Sequence, residues 1–169
     1  LEFLQNKYLN PWKIDYALLT GPPPFYGYSG LPDPDWAAAL CRAFNDWTIE
    51  HWLGHDDRIV NAILISLSDP IQAVREIKRL AGRGDTVAVM VPMSSQMPFG
   101  NRFYHPIWQA CEQHHLPVIS HVVGGGGDTR NVPPPVGYPT YYIESRMSRP
   151  YAASAHAAPL ICEGVFEKF

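Results

Sequence analysis

Short apolar runs alternate with segments of helical periodicity along the chain. The apolar runs are Ile14–Thr20, Ile59–Leu67, Thr86–Val91 and Leu116–Val123. Runs of this length that end in glycine or proline are typical of buried β-strands. The segments between and after them have apolar residues at helical spacing, and they are Pro32–Leu53, a stretch from Pro70 to Gly82-Arg83-Gly84, Phe103–His115 and Tyr151–Phe169. The pattern therefore predicts four strands, each followed by a helix.

Two of the predicted helices have recognisable start signals. Asp33 precedes Pro34, and Ser68 or Asp69 precedes Pro70. A short polar side chain before a proline is a common helix start, because it accepts hydrogen bonds from N–H groups that the first turn leaves free. The tryptophans fall on predicted helical faces, which favours core packing over a surface for stacking ligands.

Repeated βα units predict an α/β fold with a parallel sheet, since parallel neighbours need a crossover connection. Four such units fit either a small open sheet or half of an eightfold barrel. In both architectures the functional residues lie at the carboxyl ends of the strands. This rule selects Thr20, the turn from Ser66 to Asp69, the segment from Pro92 onward, and His121.

Composition narrows the class of protein. The 169 residues are 46% hydrophobic and carry a net charge of -3, so we expect one domain, 1–169, and no nucleic-acid partner. No apolar run has the roughly 18 to 20 residues of a membrane span. The three cysteines, Cys41, Cys111 and Cys162, form no CxxC pair, which favours buried reduced thiols in a cytoplasmic protein.

His121 is the main candidate for chemistry, because it ends an apolar strand and precedes Gly124-Gly125-Gly126-Gly127. A histidine there could bind a divalent metal or carry a proton, and the alternative is a neutral core histidine. Asp128 and Arg130 in the following loop could contact a substrate carboxylate or hydroxyl, although loop charges are commonly only solvated. His156 in the last helix is a further candidate for substrate contact, with packing as the alternative.

Three other pairs of polar residues are weaker candidates for a functional site. His51 and His55 have the spacing of a helical metal site, but the glutamate of an HExxH motif is missing and a turn follows. His114 and His115 are adjacent and fit an exposed helix end. Glu144 and Arg146 fit solvated charges in a long loop.

The order of several short motifs resembles the amidohydrolase-related proteins of the aminocarboxymuconate-semialdehyde decarboxylase-like branch. The matching stretches are Asn45-Asp46-Trp47, Trp52-Leu53, Asp56-Asp57-Arg58-Ile59, Asp69-Pro70, Ala73-Val74, Glu76-Ile77, Tyr104-His105-Pro106-Ile107-Trp108, Leu116-Pro117-Val118-Ile119-Ser120-His121, Leu160-Ile161 and Gly164-Val165-Phe166-Glu167-Lys168-Phe169. They cover most of the chain in the family's order.

The resemblance implies a partial TIM (β/α)8 barrel made of family strands two to five, with His121 as the metal ligand of the fifth. It implies a divalent metal, zinc first and manganese as the alternative, and a small-molecule substrate. The implied reaction is hydrolysis of a small organic acid or cyclic substrate by a metal-activated water. Non-oxidative decarboxylation of an aromatic or unsaturated carboxylic acid at the same site is the alternative.

The HxH pair of the family's first strand and its later His and Asp have no counterpart in this sequence. One imidazole does not complete a catalytic zinc site, which has three protein ligands. Leu1 in place of Met and the helical pattern at Phe169 lead us to expect a barrel truncated at both ends. It is either part of a larger enzyme or an inactive half-barrel that serves as an interaction or structural module. Open sheet edges predict a homo-oligomer or association with the missing barrel segments.

Overall fold

The computed structural model describes residues 1–21, 31–93, 95–121 and 140–169, apart from the side chains of residues 145, 148 and 149. The strands are β1 (Ala17–Leu19), β2 (Ile59–Leu64), β3 (Thr86–Pro92) and β4 (Val118–His121). The helices are α1 (Glu2–Leu4), continued by the π-helical turn Gln5–Leu9, then α2 (Pro34–His51), α3 (Pro70–Leu80), α4 (His105–Gln113), α5 (Tyr142–Cys162) and α6 (Val165–Lys168). A 3-10 turn, Arg102–Tyr104, precedes α4.

The four strands form one parallel sheet in the order β1-β2-β3-β4. In the register of the sheet, Ile63 lies opposite Val89, and Met90 lies opposite Ile119. Between consecutive strands the chain passes through α2, α3 and α4 in turn, which supplies the crossover that parallel pairing needs. The predicted α/β fold with alternating strands and helices is confirmed.

The two faces of the sheet bury different side chains, because successive strand residues point to opposite sides. One face packs against α3 and α4 and includes Ile63, Ile65, Val89 and Val91. The opposite face carries Ala62, Leu64, Ala88 and Met90, which pack with Cys41 and Phe44 of α2 and with Ile119. Burial on both faces explains why β2 and β3 are nearly continuous apolar runs.

Asp33 and Asp69 begin α2 and α3, as predicted. The Asp33 side chain accepts a hydrogen bond from the N–H of Trp36 at 2.9 Å. The Asp69 side chain accepts from the N–H groups of Ile71 and Gln72, at 2.8 and 3.3 Å. Of the two residues that could start the second helix, the structure therefore selects Asp69.

Asn45 of α2 hydrogen-bonds to the end of β2, which extends past the short strand β1. Its side-chain amide donates to the carbonyl of Leu64, and its oxygen accepts from the Leu64 N–H, both at 2.9 Å. The same amide donates to Glu76, which is also held by Arg79. Because β1 pairs with β2 only as far as Asn61, the Asn45 side chain takes the place of a neighbouring strand at Leu64.

The last long helix begins at Tyr142, nine residues before the predicted start at Tyr151. Glu144 accepts hydrogen bonds from the N–H groups of Thr140 and Tyr141, so it caps the helix and is not a loop charge. Pro150 lies inside this helix, and a proline normally signals a helix boundary, which explains the wrong prediction.

None of the helices in the described residues is both long and apolar enough to cross a membrane.

Several predictions of burial are wrong. Trp12, Trp36 and Trp47 are 75%, 62% and 46% exposed, and only Trp108 is buried among the tryptophans. Cys41 and Cys111 are buried as expected, whereas Cys162 is exposed. Trp36 and Trp47 are exposed because α2 packs through one narrow stripe, which sequence periodicity alone does not locate.

Candidate functional site

The carboxyl end of the sheet is where the four parallel strands finish together. The residues that end the strands are Leu19, Leu64, Pro92 and His121. His121 lies opposite Pro92, and its carbonyl accepts a hydrogen bond from the N–H of Met93 at 2.8 Å. The structure therefore places the main sequence candidate at the end of the sheet where barrel proteins hold their functional residues.

His121 projects from the face of the sheet that α3 and α4 do not cover. Ile119, two residues earlier, packs against the opposite face defined above by Ala62, Leu64, Ala88 and Met90. Because side chains alternate along a strand, His121 lies on that same face. Its side chain is exposed. His121 thus lies at the carboxyl end of the sheet with an exposed side chain.

His156 approaches the same end of the sheet from α5. Its Nε2 lies 2.7 Å from the carbonyl oxygen of Met93. Its ring stacks on Phe99, with 3.9 Å between ring centroids and 20° between ring planes. Burial lowers the pKa of His156, although the hydrogen bond with Met93 opposes this shift. The imidazole is thus favoured in its neutral form.

Met93 connects the two histidines that the sequence singled out. Its N–H donates to His121, and its carbonyl accepts from His156. The sequence pointed to the segment from Pro92 onward as the end of a strand, but it gave no indication that His156 would come to this segment. The contact depends on how α5 folds back, which a local pattern does not encode.

Phe99 and Gly100 form the surface on which α5 rests. The Phe99 carbonyl accepts a hydrogen bond from the Trp108 indole N–H at 2.8 Å. At Gly100, a Cβ atom would lie only 2.0 Å from the backbone oxygen of Pro159 in α5. Sequence reasoning missed both residues, and the Pro98-Phe99-Gly100 turn was the available signal.

The other predicted site residues have different locations. Asp128, Arg130 and the four glycines before them lie outside the described residues. Helix α2 ends at His51, so His51 and His55 do not lie on one helix. The Nδ1 atom of His51 lies 2.9 Å from the Trp47 carbonyl oxygen. His114 and His115 are exposed at the end of α4, as predicted.

The described residues do not by themselves form a complete metal site. Among residues 1–21, 31–93, 95–121 and 140–169, no group of three or more His, Cys, Asp or Glu side chains could hold an ion. A catalytic zinc site takes three protein ligands. His121 is therefore one candidate ligand, and this part of the chain does not supply the full set.

A parallel sheet whose strands alternate with helices is an arrangement found in (β/α) barrels. The chain belongs to the amidohydrolase family, whose sequence model matches residues 5–169. The predicted family and the predicted partial TIM barrel are both confirmed. No curated protein sequence matches the chain.

Solved structures agree on the fold. The chain superimposes on 2,6-dihydroxybenzoate decarboxylase from Rhizobium with a TM-score of 0.77 and 20% identity, covering 99% of this chain and 53% of that one. The chain also superimposes on a proposed amidohydrolase from Staphylococcus aureus, with a TM-score of 0.80 and 18% identity. That match covers 99% of this chain and 56% of the other.

A third structure, 5-carboxyvanillate decarboxylase from Novosphingobium aromaticivorans in complex with manganese and 4-hydroxy-3-methoxy-5-nitrobenzoic acid, has a TM-score of 0.61 and 24% identity. The match covers 69% of this chain and 33% of that structure. Identities this low establish the fold alone. The chain spans roughly one third to just over half of the length of these three structures.

Proposed function

We propose that residues 1–169 are part of a metal-dependent enzyme that removes the carboxyl group of a small aromatic acid without an oxidative cofactor. His121 is the proposed ligand of a divalent metal, zinc or manganese. The observation that carries the proposal is the position of His121 at the carboxyl end of β4. The similarity in fold to decarboxylases of 2,6-dihydroxybenzoate and 5-carboxyvanillate supports it.

Asp128 and Arg130 are the proposed contacts for the substrate, whereas His156, which the sequence also suggested as a contact, has its Nε2 hydrogen-bonded to the Met93 carbonyl. A guanidinium group can pair with a carboxylate through two parallel hydrogen bonds, which suits Arg130 to an aromatic acid. Among these three residues, His156 lies in the described part of the chain, next to the strand end that carries His121.

Hydrolysis of a small organic acid or a cyclic substrate is the second candidate. It is favoured by the family to which the chain belongs, which is described as amidohydrolase. The same histidine would serve both reactions, so the residues do not separate them. Carbon dioxide release from 2,6-dihydroxybenzoate, compared with ring opening of a lactone, separates the two reactions in one preparation.

Metal content tests the role of His121 directly. Zinc or manganese found by elemental analysis at close to one ion per chain, and lost in His121→Ala, would support this role, and the remaining ligands would then come from elsewhere in this chain or from its partner. His114→Ala is the matched control, because His114 is an exposed histidine at the end of α4. Equal metal in His121→Ala and the control would contradict the proposal. Absence of metal from all three proteins would mean that this chain alone is an inactive portion, either of a larger enzyme or as a half-barrel that acts as an interaction or structural module.

We also propose association through the edge of the sheet formed by β4, either between copies of the chain or with the remaining segments of a barrel. Beside β4 lies a groove of about 460 Å³ lined mainly by apolar side chains, including Trp108, Val118, Leu160 and Phe166. Val118 and Phe166 are 40% and 69% exposed. Light scattering should detect oligomers at high concentration, and a monomer at every concentration would count against self-association.

A further inference from the structure

We propose that His156 is a positioning residue that fixes, through Met93, the end of β4 that carries His121. The inference rests on the proposed function, because holding the end of β4 in place matters for catalysis only if His121 is a metal ligand. It concerns the backbone at the carboxyl end of the sheet, and it differs from direct contact between His156 and a substrate.

The hydrogen bond to Met93 defines which nitrogen of His156 carries the proton. A backbone carbonyl oxygen can only accept, so the Nε2 atom, 2.7 Å away, must be the donor. In the neutral ring the Nδ1 atom is then unprotonated. Nδ1 is buried and has no hydrogen-bond partner within the described part of the chain. Within the described residues, the His156 side chain therefore makes its hydrogen bond through Nε2, to the Met93 carbonyl.

Contacts with the Pro98-Phe99-Gly100 turn also hold this part of α5. Phe99 stacks on the His156 ring at 3.9 Å, and the Phe99 backbone is itself held by the Trp108 indole. The close approach of Gly100 to Pro159 brings the segment of α5 just after His156 against the same turn. These contacts fix the direction in which His156 donates, as a residue that orients another group must do.

Met93 transmits this restraint to β4. The residue follows β3 directly, its carbonyl is held by His156, and its N–H donates to the His121 carbonyl. Loss of the His156 donor leaves the carbonyl of the half-buried Met93 without this partner, which loosens the hydrogen bond from the Met93 N–H to the His121 carbonyl. We expect amide exchange at Met93 to rise about twofold to thirteenfold, the range of one neutral hydrogen bond.

Amide hydrogen exchange of the 169-residue chain, followed by NMR, tests the inference. His156→Phe keeps a ring over Phe99 but removes the donor, and His156→Gln restores a neutral N–H donor. Faster exchange at Met93 in His156→Phe, recovered in His156→Gln, with α3 amides unchanged, supports positioning. His114→Gln is the control and should match the wild type.

Three exchange results would each overturn the inference. They are unchanged exchange at Met93 in His156→Phe, an equal rise in both His156 variants, or a rise at every amide, which means only general destabilisation. The wild type's long-range nitrogen-proton spectrum must also show a protonated Nε2 and an unprotonated Nδ1 on His156, and the reverse tautomer contradicts the assigned bond.

A manganese titration separates this inference from the proposed function. Mn²⁺ is paramagnetic and broadens the resonances of groups that bind it. Failure to broaden the His121 ring signals in the wild type counts against the proposed metal ligand, whatever happens at Met93. If His121 does bind Mn²⁺, His156→Phe should weaken that binding and His156→Gln should restore it.

Discussion

Gly100→Ala gives the sharpest test of how α5 is attached to the sheet. The added Cβ would lie 2.0 Å from the Pro159 oxygen, 2.4 Å from its carbonyl carbon and 3.0 Å from the Leu160 nitrogen. All three are backbone atoms of a helix, so no side-chain rotation can relieve the overlap. One of the two segments must move by about 1 Å or more, or the helix must separate from the turn.

The expected cost is about 3 kcal/mol in the free energy of unfolding, at the upper end of the range for overpacking a close contact. For a chain of this size such a loss lowers the melting temperature by roughly 6 to 12 °C. The stacking of His156 on Phe99 should weaken as well, because both contacts belong to the same interface.

Urea unfolding followed by circular dichroism measures the effect. Gly82→Ala is the matched control, since a Cβ there has no atom within 4 Å. The control should be as stable as the wild type or slightly more stable, because alanine restricts the unfolded chain. Equal stability of Gly100→Ala and Gly82→Ala would refute the reasoning, and with it the close approach of α5 to the turn.

Asn45, the cysteines and Asp69 offer independent tests of the fold. Asn45→Ala should cost about 3 kcal/mol in urea unfolding, because it leaves buried backbone groups of Leu64 unpaired, and a loss below about 1 kcal/mol would contradict that role. An aromatic disulfide reagent at about pH 8 should modify Cys162 quickly and the other thiols only on unfolding, since burial raises the pKa of Cys41 and of Cys111 to about 12. Rapid modification of either buried thiol would oppose this. Burial disfavours ionised Asp69, but hydrogen bonds from Gln72 and from the Ile71 N–H outweigh it and hold its pKa below the usual value. The ionised cap therefore stabilises the fold fully above about pH 4 and less as pH falls through the lowered pKa, so Asp69→Asn should reduce this acid sensitivity, and parallel stability curves would argue against it.

The proposed role of His156 changes how the carboxyl end of the sheet is understood. A helix that follows β4 in sequence returns to hold the end of β3. Its histidine then acts on β4 through the backbone of Met93. Mutations in this helix could thus alter the site around His121 without touching a ligand, which the paired His156 variants are designed to detect.

The sequence by itself determined the order and type of the main elements. Strong periodicity and local caps such as Asp33 and Asp69 act within a few residues, so they are visible in the chain. The position of His121 at a strand end follows from the same local pattern. The family resemblance rests on short motifs in order, and it was confirmed.

Tertiary structure alone decided which residues meet. Asn45 bonds to Leu64, and His156 bonds to Met93, across 19 and 63 positions of the chain. The exposure of Trp36 and Trp47 also depends on which stripe of α2 packs inward. These contacts result from the crossing of helices over a sheet, and no local pattern of apolar and polar residues specifies where such crossings fall.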